Sequence, residues 1–202
     1  MTRVAVLASG SGSNLQALMN ACTGDFPARV VVVGSDRPSC GALQRAAAMG
    51  VPSVALRARD FADREAFDAA MADRIGAYDA AWVCLAGYMR LVSEAFLRRF
   101  DGRVLNIHPS LLPSFPGKHA VAQALASNAS ETGCTVHLVD RGMDTGPILG
   151  SARVPVAPGD NLESLSERIL SEEHRLYPAM LRAAVEGQFD RHRMAVVIDS
   201  LS

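Results

Sequence analysis

The chain holds only four cysteines, Cys22, Cys40, Cys84 and Cys134, and no two of them form a C-x-x-C pair. That spacing argues against a zinc site and against a redox motif, so the four read as small buried apolar side chains and no metal is expected. A basic stripe is missing as well. Twenty cations and twenty-one anions are interleaved to a net charge of −1, which implies no nucleic-acid partner and points to small ligands. Only one of the twenty cations is a lysine, Lys118. No apolar run approaches the ~20 residues of a membrane span. The N-terminus enters Arg3-Val4-Ala5-Val6-Leu7 directly, without a charged leader or cleavage site, so a cytoplasmic protein with no membrane partner is expected. Repeats, low-complexity tracts and dividing linkers are absent too. One domain over 1–202 follows, with uneven halves 1–100 and 101–202.

What is present is an ordinary globular mixture, 49% hydrophobic and 20% charged over 202 residues. Short β-rich runs alternate with helical patterns: Arg3–Ala8 then Ser13–Cys22, Arg29–Gly34 then Gly41–Met49, Val54–Leu56 then Asp63–Ile75, Ala80–Leu85 then Ser93–Phe100. Strands such as Val30-Val31-Val32-Val33 are apolar throughout, as strands covered on both faces must be. This predicts an α/β fold, a doubly wound and mostly parallel twisted sheet of Rossmann-like type, with a less regular C-terminal half. In that half, Arg103–Ile107, Cys134–Val139 and Ile148–Val156 read as strands and Ala120–Ser127 as a helix. Asp160 and Glu163 resemble a capping box opening a helix over Ser164–Arg175, which Pro178 should kink or break before Ala179–Glu186.

Two constellations carry chemistry. Ser9-Gly10-Ser11-Gly12-Ser13-Asn14-Leu15 leads from the first strand into a helix, a geometry in which free N–H groups and the helix dipole attract a phosphate. The dinucleotide fingerprint fails because its third glycine falls at Leu15, and no G-K-[ST] follows. One phosphate is the better match, although serines that merely cap the helix remain an equal reading of the loop alone. The second constellation is Asn106-Ile107-His108-Pro109-Ser110 together with Asp144-Thr145-Gly146-Pro147. Strand alternation turns Asn106 and His108 to one face, at the carboxyl end where parallel sheets bind ligands and where the glycine loop is also expected. A carboxylate beside an imidazole favours imidazolium, and such a group with the Asn106 amide can hold an oxyanion. Taken singly, each of the three reads as a turn or core hydrogen bond. Together they indicate acyl-transfer chemistry, in which no serine or cysteine nucleophile is required if the substrate brings its own amine.

These motifs, with Leu85-Ala86-Gly87-Tyr88-Met89-Arg90, Gly133–Gly146 and Glu173-His174-Arg175-Leu176-Tyr177-Pro178, make the chain resemble the folate-dependent phosphoribosylglycinamide formyltransferase family over nearly its whole length. The resemblance implies transfer of a formyl group from 10-formyltetrahydrofolate to glycinamide ribonucleotide in purine biosynthesis. It implies Asn106, His108 and Asp144 as catalytic residues. Ser11, Gly12, Ser13, Asn14 and Leu15 would hold the ribonucleotide phosphate, and Glu173 the glycinamide portion. Arg64, Leu85, Met89, Arg90, Leu91, Val92, Asn106, Val139, Asp140 and Asp144 would bind the folate.

Read from residues alone, Glu173 is a solvated helix carboxylate, the Leu85 and Met89–Val92 side chains are core, and Arg64 is a solvated helix start. His137 aligns with a family histidine, with a structural role the safer reading. Pro116-Gly117-Lys118-His119-Ala120-Val121 departs from many relatives at Lys118 and Val121; His119 would line an entrance and Lys118 is expected in solvent. A monomer or weak homodimer is expected. Competing readings are a formyltetrahydrofolate hydrolase that uses water, a methionyl-tRNA formyltransferase, and a non-catalytic phosphate-ligand sensor.

Overall fold

Continuously apolar runs joined by short amphipathic helices form the predicted α/β sheet. In a computed structural model describing residues 1–189, the elements are β1 (Thr2–Leu7), α1 (Ser13–Ala21), β2 (Ala28–Ser35), α2 (Gly41–Ala48), β3 (Ser53–Ala55), α3 (Arg64–Gly76), β4 (Trp82–Leu85), α4 (Glu94–Arg99), β5 (Val104–His108), α5 (Ala120–Ala126), β6 (Glu131–Leu138), β7 (Ile148–Pro155) and α6 (Leu162–Val185). The strand order is β3-β2-β1-β4-β5-β6-β7, mostly parallel. The chain divides into two compact units, Met1–Asn106 and Ile107 onward, so β5 straddles the division.

In the first unit every pairing among β1 to β5 is parallel. Val4 to Leu7 of β1 and Val32 and Val33 of β2 are fully buried, which explains why these strands lack alternation. Helix α1 buries Leu15, Leu18 and Met19 at helical spacing, and α3 buries Phe67, Met71 and Ile75 in the same way. Asp63 caps α3 through Ala66 N, and Ser93 caps α4 through Phe96 N.

In the second unit β6 and β7 form an antiparallel hairpin, with a register shift between Val136 and His137, and α6 packs on both strands. Two expectations about α6 are corrected. Its capping box is Asn161 with Ser164, one residue beyond the expected Asp160 with Glu163 at each end, and Asp160 instead accepts hydrogen bonds from Arg168, Ser164 and the Ala157 N–H. Pro178 neither breaks nor ends the helix, which runs unbroken to Val185. A proline inside a helix costs ~3 kcal/mol, but Leu165, Ile169, Leu176, Tyr177, Met180, Leu181 and Ala184 form one buried stripe through it. Burial at ~1.5–3 kcal/mol per large side chain outweighs one lost backbone bond.

The cysteine expectation holds for Cys40, Cys84 and Cys134, which are buried, whereas Cys22 is half-buried; all four are free thiols. Among the described residues no helix is long and apolar enough to cross a membrane.

Candidate active site

The turn after β6 places a carboxylate between two imidazoles. Asp144 adopts left-handed backbone, φ 56°, a conformation that costs a non-glycine residue ~1–3 kcal/mol and persists only where its surroundings impose it. Two neighbours impose it. A Cβ at Gly146 would lie 1.8 Å from the Leu138 carbonyl oxygen, so only glycine lets the turn close onto β6. Asp140 ties the turn internally, accepting hydrogen bonds from Gly142 N at 3.0 Å and Thr145 Oγ1 at 2.7 Å.

Each oxygen of Asp144 meets its own histidine. Oδ2 lies 3.3 Å from His108 Nδ1 and accepts Gly117 N–H at 2.8 Å, while Oδ1 lies 3.6 Å from His137 Nε2. Burial alone would raise the carboxyl pKa, but the His137 hydrogen bond, the Gly117 N–H and the charges of both histidines outweigh it, leaving Asp144 below the ordinary carboxylate value. It is therefore a carboxylate at neutral pH. The far side of each ring also faces an acceptor: His108 Nε2 lies 2.9 Å from Phe115 O, and His137 Nδ1 lies 2.8 Å from Leu138 O. A carbonyl oxygen only accepts, so each ring must present a hydrogen to it, and a ring also facing Asp144 is fully satisfied when it carries both protons.

The proline-rich segment is held against this cluster by Ser110 and Thr135. Thr135 Oγ1 donates to Ser110 O at 2.7 Å and accepts Leu112 N–H at 3.1 Å, and Ser110 Oγ donates to Ser114 O at 2.5 Å. Phe115, whose carbonyl anchors His108, is itself left-handed at φ 54°. Lys118 and His119 are exposed, with His119 at the N-cap of α5.

Glu173 corrects the residue-based reading, because it is 6% exposed and sits in the buried stripe of α6. Helix α6 packs on β6, and burial first, then the charges of Glu173 and Glu172, push the Cys134 thiol of that strand far upward. Val139 is half-buried and Asp140 exposed.

In the first unit the glycine loop docks on α2. Gly12 is left-handed at φ 79°, and a Cβ there would come within 2.6 Å of Ala42 Cα. No side chain caps α1, so the serine-cap alternative for this loop is not what is seen. Ser11 is exposed, Ser13 half-buried and Asn14 buried, while Leu15 lies wholly in the core and offers only its backbone. Arg45 of α2 donates from Nε to Ser11 O at 2.9 Å, bringing to the loop a cation that the motif did not reveal.

The stretch after β4 divides. Leu85 is core, as the residue-based reading had it, but Met89 and Leu91 are 59% and 49% exposed and Val92 is half-buried. Arg90 stacks its guanidinium 4.5 Å from the Phe67 ring centroid. Asp68, buried on α3, accepts Ser93 N–H at 2.5 Å; burial raises its pKa against the lowering effects of Ser93, Arg90 and Arg64. Arg64 itself is exposed at the first turn of α3. Asn106 and His108 lie two positions apart on β5, hence on one face of that strand.

Sequence reasoning missed two parts of this arrangement. His137 was visible as a histidine in a period-2 strand, on the same face as Thr135, yet nothing in the pattern announced Asp144 as its partner. The Gly117 N–H could not be seen at all, since a backbone donor has no letter.

An α/β fold with a carboxylate clamped by two imidazoles has an arrangement able to take up and pass on a proton. The chain belongs to the formyl transferase family, whose profile matches residues 2–181. It is 51% identical over 181 residues to a phosphoribosylglycinamide formyltransferase of Mycobacterium tuberculosis, covering 90% of this chain and 84% of that protein. It is 47% identical over 188 residues to a trifunctional purine biosynthetic protein of Drosophila melanogaster, covering 92% of this chain but only 14% of that much longer protein. A crystal structure of glycinamide ribonucleotide transformylase 1 from Symbiobacterium toebii superposes with a TM-score of 0.94 at 49% identity, covering 98% of this chain and 94% of the other.

Proposed function

We propose that this chain is a phosphoribosylglycinamide formyltransferase, passing the formyl group of 10-formyltetrahydrofolate to the amine of glycinamide ribonucleotide in purine biosynthesis. The observation that carries it is Asp144 held ionised between His108 and His137 in a chain of the formyl transferase family. The whole chain works as one formyltransferase domain, a cytoplasmic monomer or weak homodimer. A folate-type co-substrate follows from the family, and the route below calls on no metal.

The ribonucleotide amine attacks the formyl carbon, forming a C–N bond and a tetrahedral intermediate. His108 Nε2 is occupied by Phe115, so the donor for the oxyanion is Nδ1–H. Its 3.3 Å separation from Asp144 is longer than the 2.7–2.9 Å of a strong charge-assisted bond, which leaves that hydrogen available to a closer oxygen. The Asn106 amide, on the same strand face, is the second donor, each being worth about 3 kcal/mol of barrier. Asp144 takes the proton that the attacking amine loses and delivers it, directly or through water, to the departing folate nitrogen as the C–N bond to it breaks. The products are formylglycinamide ribonucleotide and tetrahydrofolate, and no acyl-enzyme forms. Ser11 to Leu15 hold the phosphate and Glu173 the glycinamide, while Arg64, Leu85, Met89 to Val92, Val139 and Asp140 bind the folate. Leu15, wholly buried, contributes through its backbone, and the exposed Asp140 through the turn that its hydrogen bonds hold.

The test follows absorbance of deformylated folate with and without glycinamide ribonucleotide. Release that depends on the ribonucleotide, and that falls at least ~10²-fold in Asp144→Asn and in His108→Ala, supports the reading. Release without the amine identifies a hydrolase instead.

A further inference from the structure

Ser9, 1% exposed, makes three hydrogen bonds that the reaction above does not use. Its backbone N–H donates to Gly87 O at 3.1 Å, its hydroxyl donates to Asp36 Oδ1 at 2.6 Å, and the hydroxyl oxygen accepts Met89 N–H at 2.9 Å. The parallel ladder between β1 and β4 stops at Leu7 and Leu85, with Ala86 N–H reaching back to Leu7 O. Ser9 carries the connection past Gly87 and Tyr88. The single hydroxyl proton goes to the Asp36 carboxylate, which fixes the rotor, aims a lone pair at Met89 and strengthens that oxygen as an acceptor. The side chains of Met89 and Leu91 do little of this work, being largely in solvent, so the backbone at Met89 depends on Ser9, with Arg90 stacked on Phe67 as the next anchor.

Ser9 also opens the glycine loop, since Gly10 to Asn14 follow it directly. We propose that Ser9, locked by Asp36, is a positioning residue that fixes the Met89–Val92 segment to the phosphate loop, so that the ribonucleotide and the folate bind with positive coupling. The inference rests on the function proposed above, which assigns these two segments to different substrates. Ordering of the glycine loop by phosphate pulls on Ser9, and Ser9 holds the backbone on which the folate sits.

The experiment measures the dissociation constant of tetrahydrofolate by calorimetry, alone and with saturating glycinamide ribonucleotide, for the wild type, Ser9→Ala and Asp36→Asn. In the wild type the ribonucleotide tightens tetrahydrofolate binding. Ser9→Ala removes the acceptor of the part-buried Met89 N–H and frees the backbone there, so tetrahydrofolate binding weakens about 5- to 30-fold and the tightening disappears. In turnover, KM for the formyl donor rises more than kcat falls. Asp36→Asn moves both quantities the same way by less, because an amide oxygen still accepts from Ser9. Either folded variant with wild-type affinity and wild-type coupling overturns the inference. Equal loss of both substrates with a matching fall in kcat also overturns it, since that is what general loosening of the loop produces. A wild-type chain that binds neither probe removes the function proposal itself.

Discussion

Asp144 is the residue on which the proposed chemistry turns, and its protonation is set by what touches it. Burial works against its charge, while His137, the Gly117 N–H and His108 win and keep its pKa low. The acidic limb of kcat/KM should therefore lie below the ordinary carboxylate range. His137→Ala removes the foremost of the lowering contacts, so the limb should move to higher pH, read from a pH–rate profile. Because His108 and Gly117 remain, kcat at neutral pH should fall less than the ~10²-fold expected for losing the proton-transfer group itself. A purely structural histidine would lower activity without moving the limb. At this scale the sequence displayed Asn106, His108 and Asp144 as letters, but the second imidazole and the carbonyls of Phe115 and Leu138 emerged only once the backbone had brought them within 3.6 Å and 2.9 Å.

At the level of elements, α3 and α4 meet through one buried carboxylate. Asp68 accepts the N–H of Ser93, the N-cap of α4, and its burial holds its pKa above the ordinary value. Asp68→Ala orphans a buried N–H and should cost about 1–3 kcal/mol in chemical denaturation. Asp68→Asn keeps an acceptor while discarding the buried charge, so it should lie within about 1 kcal/mol of wild type at pH 7. Equal losses in the two variants would show that the charge, through Arg90, matters more than the hydrogen bond. The helices and strands themselves were legible because their apolar spacing is local. The unbroken α6 was not, because a proline reads as a breaker until Leu165, Ile169, Tyr177 and Leu181 are seen buried along one line through it. Glu173 shares that line, and a carboxylate at a stripe position was the available sign that it is not solvated.

For the whole molecule, the shifted carboxylates oppose one another in acid. Asp160, hydrogen-bonded to Arg168, and Asp144 both have folded pKa values below the ordinary one, so their stabilisation is full above the unfolded pKa and is lost as pH falls through the folded value. Asp68 has the opposite sign: its raised pKa means that stability is recovered as pH falls through that value. Thermal melts between pH 7 and pH 3 should show the Asp160→Asn deficit constant until the ordinary carboxylate range and beginning to narrow only at the acid end, and Asp68→Asn losing any advantage there. A deficit for Asp160→Asn that shows no narrowing even at pH 3, where the unfolded-state carboxyl is already mostly protonated, would mean that ionisation of Asp160 is not the source of its effect.

The sequence by itself determined the class of fold, the glycine loop, the Asn106–His108 pair and the family, because period, turn chemistry and short motifs are properties of neighbouring residues. Tertiary structure decided which groups share a proton. It set the two-histidine clamp on Asp144, the burial of Glu173, the exposure of Met89 and Leu91, and the Ser9–Asp36–Met89 link. Each of these depends on what lies near a residue in space, and a burial, a pKa or a hydrogen bond set by such distances is not specified by any local pattern.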